Sequence, residues 1–562
     1  MSSSRHSQLR SLRPTDELVA VGVGLATSAI LFALTLNTPF VKDPEATYAI
    51  DIRAAMRGDW LLVHTLGRKP PVYVWFGAAM SALHGSVTEV TSRMPGVIAG
   101  GALCALLFGF AARRMDRSTA LWSWLVLLSM PGFVTNCVTA QVDPMLVLWT
   151  FAALLAFYPI AAQEKHGPWL VIGAGIALGL GILSKGPIAV VIVGGTIAVW
   201  FALMHKSPTH FLRRSALAGV VALLIAASWY LTAMIQGGRE FARVLYAENF
   251  GHFLPGGAGG TGEAGRPLYY IAAHLIGASF PIVILLPAAA IAAWSELDSD
   301  RRSLLIYFGS AVLTVTLFFS LASSKREVYV MAALPTLALL IGASIAEYGA
   351  GLAARASRLA FRIAVAVFLF GLGAVTVGLI FTQWSVAQIL KIGLHSTDRM
   401  LINLIADTAA GRDPWLWGAA VATAFAGALI VIGIWRGRIG YQSTGMVAAA
   451  LILTILWAGV IRPLLAQTRT EKYFLKRVQA ALRSSDLHLV ALDEPDIEAD
   501  YYLDRELPVV NRRDLPAILG PVYLLARSDA LARVPGLKLV MSGAAKSGHG
   551  GMALAKYNSL EP

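Results

Sequence analysis

Long apolar runs recur along the chain, broken by short polar intervals, and their lengths predict the architecture. Crossing the ~30 Å hydrocarbon core takes about 20 apolar residues. About thirteen runs meet or approach that length: 18–36, 94–113, 119–134, 145–162, 169–183, 186–204, 214–234, 270–294, 303–321, 328–346, 360–382, 415–435 and 444–463. The first is too long for a cleavable leader and lacks a clear small-residue cleavage site. Longer polar intervals fall at 37–93, 235–269 and 383–414, and a polar segment closes the chain at 465–562. Within 45–57, Tyr48, Ile52 and Met56 share one helical face while Asp51, Arg53 and Arg57 are polar, which predicts an amphipathic helix on the membrane surface. A second begins at Pro70-Pro71. In the closing segment, LHLVALDE and PVYLLARS read as buried strands and EKYFLKRVQAALRSS as an amphipathic helix. The expected fold is an α-helical integral membrane protein: a multi-span domain over 1–464 with surface helices in its first outer loop, and a small α/β domain over 465–562.

Composition agrees. Of 562 residues, 56% are hydrophobic and only 14% charged, against about a quarter charged in soluble chains. That excludes disorder, collagen and a disulfide-stapled secreted scaffold. The net charge of +13 would suggest nucleic acid if it were clustered. Instead, with the N-terminus in the cytoplasm, Lys and Arg gather at every cytoplasmic turn: Arg113, Arg114 and Arg117; Lys165; Lys206, Arg213 and Arg214; Arg301 and Arg302; Arg355, Arg358 and Arg362; Arg436 and Arg438. This is the positive-inside pattern. An odd number of spans places 465–562 outside, with the long loops, and function is expected there.

Two Asp-Pro pairs lie on that side. Asp43-Pro44-Glu45 opens the first surface helix and Asp143-Pro144 opens the fourth span. Asp, Pro and Glu in that order make a favourable helix start. The functional alternative is two carboxylates, Asp43 or Glu45 with Asp143, facing one cavity as acid and base. Basic residues are informative where topology disfavours them. Arg68-Lys69, Lys185 in SKGP and Lys325-Arg326 in SSKRE all sit in outer loops. Each alone could snorkel to headgroups; together they suggest an anion site, most simply a phosphate at the membrane surface. Tyr48, His64, Glu248, His252 and Tyr329 complete the candidate substrate pocket. Glu248 and His252, four apart, have the spacing of two metal ligands, though no metal site is assigned. The Gly-rich stretch in 235–269 lacks a GK[ST] phosphate loop and reads as a flexible lid.

The order of these motifs carries a resemblance: D-P-E-x-x-Y after the first span, GDW and K-P-P before the second, V-D-P before the fourth, S-K-G after the fifth, E-N-F-G-H-F, and S-S-K before the tenth. It resembles the C-type membrane glycosyltransferases, within them the 4-amino-4-deoxy-L-arabinose transferases that modify lipid A, and more distantly the protein O-mannosyltransferases. The resemblance implies a bacterial inner-membrane enzyme with a periplasmic C-terminal domain. It would take a sugar from a polyprenyl-phosphate carrier, pass it to lipid A, another envelope glycolipid or a protein, and invert the anomeric carbon. It needs no soluble cofactor, and a divalent metal has no support in the sequence. Asp43 or Glu45 and Asp143 take the acidic positions; Lys69, Lys185 and Lys325, with Arg68 and Arg326 beside them, take the carrier phosphate. Pro44 interrupts the usual D-E-x-x-Y, so the register between Asp43 and Glu45 stays open, and Arg68 stands where an acid is usual. A rival class is a lipid or sugar transporter. It would place ionisable residues near the midplane and show internal repeats, neither of which this chain does.

Overall fold

The computed structural model describes residues 14–36, 38–40, 43–63, 69–247, 266–296, 298–349, 355–380, 414–482, 488–517, 521–543 and 551–558. The membrane body is built from helices α1 (Pro14–Ala33), α4 (Glu89–Arg114), α5 (Arg117–Leu128), α6 (Pro131–Cys137), α7 (Asp143–Ala161), α8 (Pro168–Lys185), α9 (Ile188–Leu203), α10 (Thr209–Tyr246), α11 (Tyr270–Ser279), α12 (Leu286–Ser295), α13 (Ser299–Leu321), α14 (Leu334–Gly349) and α15 (Arg355–Ile380), closed by Pro414–Trp435 and Ile439–Leu456. Among the described residues, ten helices are long and apolar enough to cross a membrane, or twelve if two bent pairs each count as one span. The bends have local causes. Between α5 and α6 the chain turns by 69° just before Pro131, which sits at the first helical position and lacks the N–H to continue the ladder. Between α11 and α12 it turns by 104° at Phe280-Pro281, ahead of a 3₁₀ turn, Ile282–Leu285, that leads into α12.

Helix α10 is 38 residues, about 57 Å at 1.5 Å per residue. That exceeds a membrane's apolar core. Gly238, with φ +64°, breaks it beyond the apolar part, in a backbone region that a β-carbon would disfavour.

The first outer segment forms α2 (Asp43–Met56) and α3 (Val72–His84). Here the structure departs from a helix floating on lipid. Ala46, Ala49 and Ile52 of α2 are fully buried, Asp51 is 2% exposed, and Met56 faces outward. The reason is that α2 is covered on both sides. Ile52 packs into the membrane-body core, while Ala46 and Ala49, with Phe40, share a second core with Phe474, Leu475, Val478 and strand residues of the C-terminal segment.

That segment carries a five-stranded sheet of order β2-β1-β3-β5-β4: β1 (Leu489–Leu492), β2 (Val509–Val510), β3 (Pro521–Arg527), β4 (Leu537–Ser542) and β5 (Met552–Asn558). Strand β1 runs parallel to β2 and β3, and β5 antiparallel to β3 and β4. Period-two alternation puts Leu525, Leu554 and Ala491 in the core shared with α2, and Val522, Leu524, Ala526, Ala553 and Ala555 in a core on the other face. Polar ties reinforce the join. Arg53 of α2 pairs with Asp504 at 2.7 Å, and Lys472 pairs with Glu89.

Candidate active site

The cavity of interest lies where α2, α7, α8 and the turn between α13 and α14 meet. Its lining includes Pro44, Tyr48, Lys69, Asp143, Lys185 and Arg326.

The local sequence explains why these side chains arrive there. Helix α8 ends at Lys185 and α9 begins at Ile188, so the connection is a bare Gly-Pro. Gly186 makes the turn at φ +92°, where a side chain would be strained. Lys185 is therefore pinned at the helix end. Its Nζ donates to Asp143 Oδ1 at 2.5 Å and lies 4.9 Å from the centre of the Tyr329 ring. Tyr329 is stacked on Phe319 with ring centres 4.3 Å apart. The cation is thus held by an acid and an aromatic face, an arrangement that fixes a charge while leaving it able to meet an anion.

Asp143 is not the cap its sequence context suggests. It lies inside the first turn of α7, Val142 precedes the helix, and no side chain caps it. The carboxylate gains instead from the helix N-terminus and from Lys185.

The neighbouring acid behaves differently. Glu45 is completely buried and does not line the cavity. Its two oxygens accept from Arg93 Nε at 2.8 Å and Nη2 at 3.1 Å, and Oε1 also accepts from the Ala140 N–H at 2.9 Å. Arg93 in turn donates to the carbonyls of Thr38 at 2.6 Å and Pro39 at 3.0 Å. Burial alone would push the Glu45 carboxyl up. The Arg93 charge and hydrogen bonds, with Arg462 and the Ala140 N–H, outweigh it and hold the group below its ordinary value. This network ties α2 to α4 and to the loop leading into α7, and so positions Asp143. Gly96 permits the approach: a β-carbon there would sit 2.6 Å from the Cys137 carbonyl.

The basic residues divide likewise. Lys69, Lys185 and Arg326 line one cavity. Lys325, the residue favoured from sequence, turns away. It is buried, and its Nζ donates to the Ala322 carbonyl at 2.9 Å, at the end of α13. Adjacent residues in an extended turn point opposite ways, so Arg326 faces the cavity. Tyr48 and Tyr329 are lining residues as well. Arg68, His64, Glu248 and His252 lie outside the described residues, as do 248–265 of the expected lid and nearly all of loop 383–414; Asp43 begins α2, but its side chain is not among those described. Among the described residues, no three His, Cys, Asp or Glu side chains gather as a metal site.

Sequence reasoning missed Arg93, Gln141 and Arg462. The two arginines carried a usable signal: both sit at the ends of apolar runs on the side where basic residues are disfavoured.

The fold that carries this cavity has a counterpart among solved structures. Over 96% of this chain and 97% of the other, the structure superposes on ArnT from Cupriavidus metallidurans bound to undecaprenyl phosphate, with a TM-score of 0.75 at 18% identity. The apo form of that protein gives 0.76. The fold is that of the C-type membrane glycosyltransferases. The family described as dolichyl-phosphate-mannose-protein mannosyltransferase matches residues 68–231. Curated relatives named undecaprenyl phosphate-alpha-4-amino-4-deoxy-L-arabinose arabinosyl transferase include that of Serratia proteamaculans, 28% identical over 56% of this chain and 57% of the relative. That of Pectobacterium carotovorum is 31% identical over 62% and 65%, and that of Erwinia tasmaniensis 26% over 81% and 79%. The chain spans less than two thirds of the length of the first two of these three. It is a multi-pass membrane protein with a C-type glycosyltransferase fold.

Proposed function

We propose that this protein transfers a sugar from a polyprenyl-phosphate carrier to an envelope glycolipid, most simply lipid A, at the outer face of the bacterial inner membrane. The observation that carries the reading is the convergence of Lys69, Lys185 and Arg326 with Asp143 on one cavity, reached from separate segments of the chain. The carrier phosphate is the leaving group. As the acceptor oxygen bonds to the anomeric carbon from the opposite face, the carbon–oxygen bond to phosphate breaks and the configuration inverts. The three cations stabilise charge that grows on the phosphate. An acid on the acceptor side, Asp143 or Asp43, takes the proton of a hydroxyl acceptor or orients a phosphate acceptor.

The topology proposed with this function has thirteen spans. The ten long helices and two bent pairs are joined by the shorter apolar helix Ile188–Leu203. The N-terminus is then cytoplasmic, and 465–562 is a periplasmic α/β domain beside the first outer loop, the orientation that the distribution of Lys and Arg favours.

The test is reconstitution in nanodiscs with an undecaprenyl-phosphate-linked amino-arabinose donor and lipid A, followed by mass spectrometry. Modified lipid A and released undecaprenyl phosphate are expected. The match to the mannosyltransferase family supports one competing acceptor, a protein hydroxyl. Glycosylated peptide with unmodified lipid A in the same assay would select it.

A further inference from the structure

The last apolar run ends on a cation that the donor cavity does not use. Helix Ile439–Leu456 passes into a π-helical turn, Trp457–Ile461, immediately before Arg462. Such turns rotate the residues that follow them and concentrate at functional positions. Arg462 is 5% exposed. Its Nη2 donates to Thr139 Oγ1 at 3.0 Å, but its Nη1 has no hydrogen-bond partner among the described residues. Glu45 is near enough for its charge to act on Arg462, yet Nη1 itself stays without a hydrogen bond. A buried N–H of a charged group left unsatisfied is costly, and the cost is recovered when a ligand oxygen completes it.

Arg462 lines a second cavity, with Thr135, Asn136, Gln141, Glu327 and Trp457. The Thr135 hydroxyl is also buried without a partner. Gln141 and Val328 line both this cavity and the first, so the two chambers share a wall. A guanidinium forks phosphate oxygens; the amides and Glu327 suit sugar hydroxyls, and Trp457 gives an apolar face to a ring.

We propose that this second chamber is the acceptor subsite, with Arg462 binding a phosphate monoester on the acceptor's sugar head group. The proposal rests on the glycosyltransferase reading above. The same chemistry fits the carrier's phosphate, and the experiment separates the two sources.

The full chain in nanodiscs is titrated with undecaprenyl phosphate, with a phosphorylated glucosamine-disaccharide lipid, and with the dephosphorylated form of that lipid. Wild type is expected to prefer the phosphorylated disaccharide, and Arg462→Gln to lose that preference at least tenfold while holding undecaprenyl phosphate unchanged. Arg462→Lys should recover part of it. In turnover, Arg462→Gln should raise the acceptor KM and leave the donor KM alone. If Arg462→Gln does not fold, Thr135→Val is read in its place, with a several-fold loss expected for the phosphorylated lipid only. A wild type that binds both disaccharides equally overturns the proposal. So does an Arg462→Gln or Thr135→Val protein whose loss falls on undecaprenyl phosphate, or which loses nothing. Failure of wild type to bind undecaprenyl phosphate, with the disaccharide preference intact, would instead remove the donor reading.

Discussion

Lys185 and Asp143, 42 positions apart, meet at 2.5 Å on the wall of the cavity. The ion pair joins the end of one helix to the start of another, and it places a cation and an acid beside the same reacting space. Lys185→Ala is expected to weaken undecaprenyl phosphate binding tenfold to a hundredfold, the worth of a charge-assisted hydrogen bond of about 1.5–3 kcal/mol. Because each residue holds the other, the Lys185→Ala/Asp143→Ala double variant should lose less than the sum of the singles. Strictly additive losses in a donor titration would mean that the two act independently.

The two acids at the head of α2 should separate cleanly. Glu45→Gln leaves Arg93 buried beside a neutral partner, and breaking a buried pair costs about 3–5 kcal/mol. The expected result is a large loss of thermal stability and of membrane yield. The lowered Glu45 value adds a pH signature. Its stabilising share is present above the unfolded carboxylate value and is lost as pH falls through the lowered folded one. Asp43→Asn should behave in the opposite way, since Asn keeps the size and shape of the side chain and removes only the charge that acid–base chemistry needs: normal yield and melting temperature, with a large fall in transfer rate. A stable Glu45→Gln protein with dead chemistry would return the catalytic acid to Glu45.

Lys325 and Arg326 are neighbours with different partners. Lys325→Met removes a cation from the end of α13 and should lower the melting temperature without changing donor affinity. Arg326→Ala should do the reverse, with donor affinity down about tenfold or more. Equal effects on donor binding would show that both cations reach the phosphate.

Asp500 lies in the C-terminal segment, buried, with its Oδ1 accepting the Leu507 N–H at 2.9 Å. Burial pushes its carboxyl up to about 6, against an ordinary 3.8, and the Leu507 hydrogen bond only partly opposes this. A raised acid favours folding in its protonated form. Its penalty is therefore full above pH 6 and fades as pH falls through 6 toward 3.8. Asp500→Asn keeps an acceptor for Leu507 and should stabilise the protein at pH 7.5 by about 1–3 kcal/mol, with the gain shrinking toward pH 5. Melting temperatures across that range check it; an equal gain at every pH would point to packing instead of charge.

Features that depend on local composition are legible along the chain. Apolar run lengths set the helices, because backbone polar groups in hydrocarbon must be satisfied within each segment. The unequal spread of Lys and Arg set the expected sidedness, and the basic residues in outer turns pointed to an anion site. Two of those turns send a cation into the cavity directly: Lys69, beside Pro70, and Lys185, on a Gly-Pro turn too short to place it elsewhere.

Which of Lys325 and Arg326 faces the cavity is settled by long-range packing. Lys325 and Arg326 look equivalent as letters, and the direction of one turn separates them. Glu45 reads as a catalytic acid until Arg93, 48 residues away, takes both of its oxygens. Helix α2 reads as a lipid-facing surface helix because its own pattern cannot reveal that a sheet more than 400 positions later will cover it. Arg462 likewise draws its meaning from a neighbour it lacks. Partners of this kind are long-range, and no local spacing encodes them.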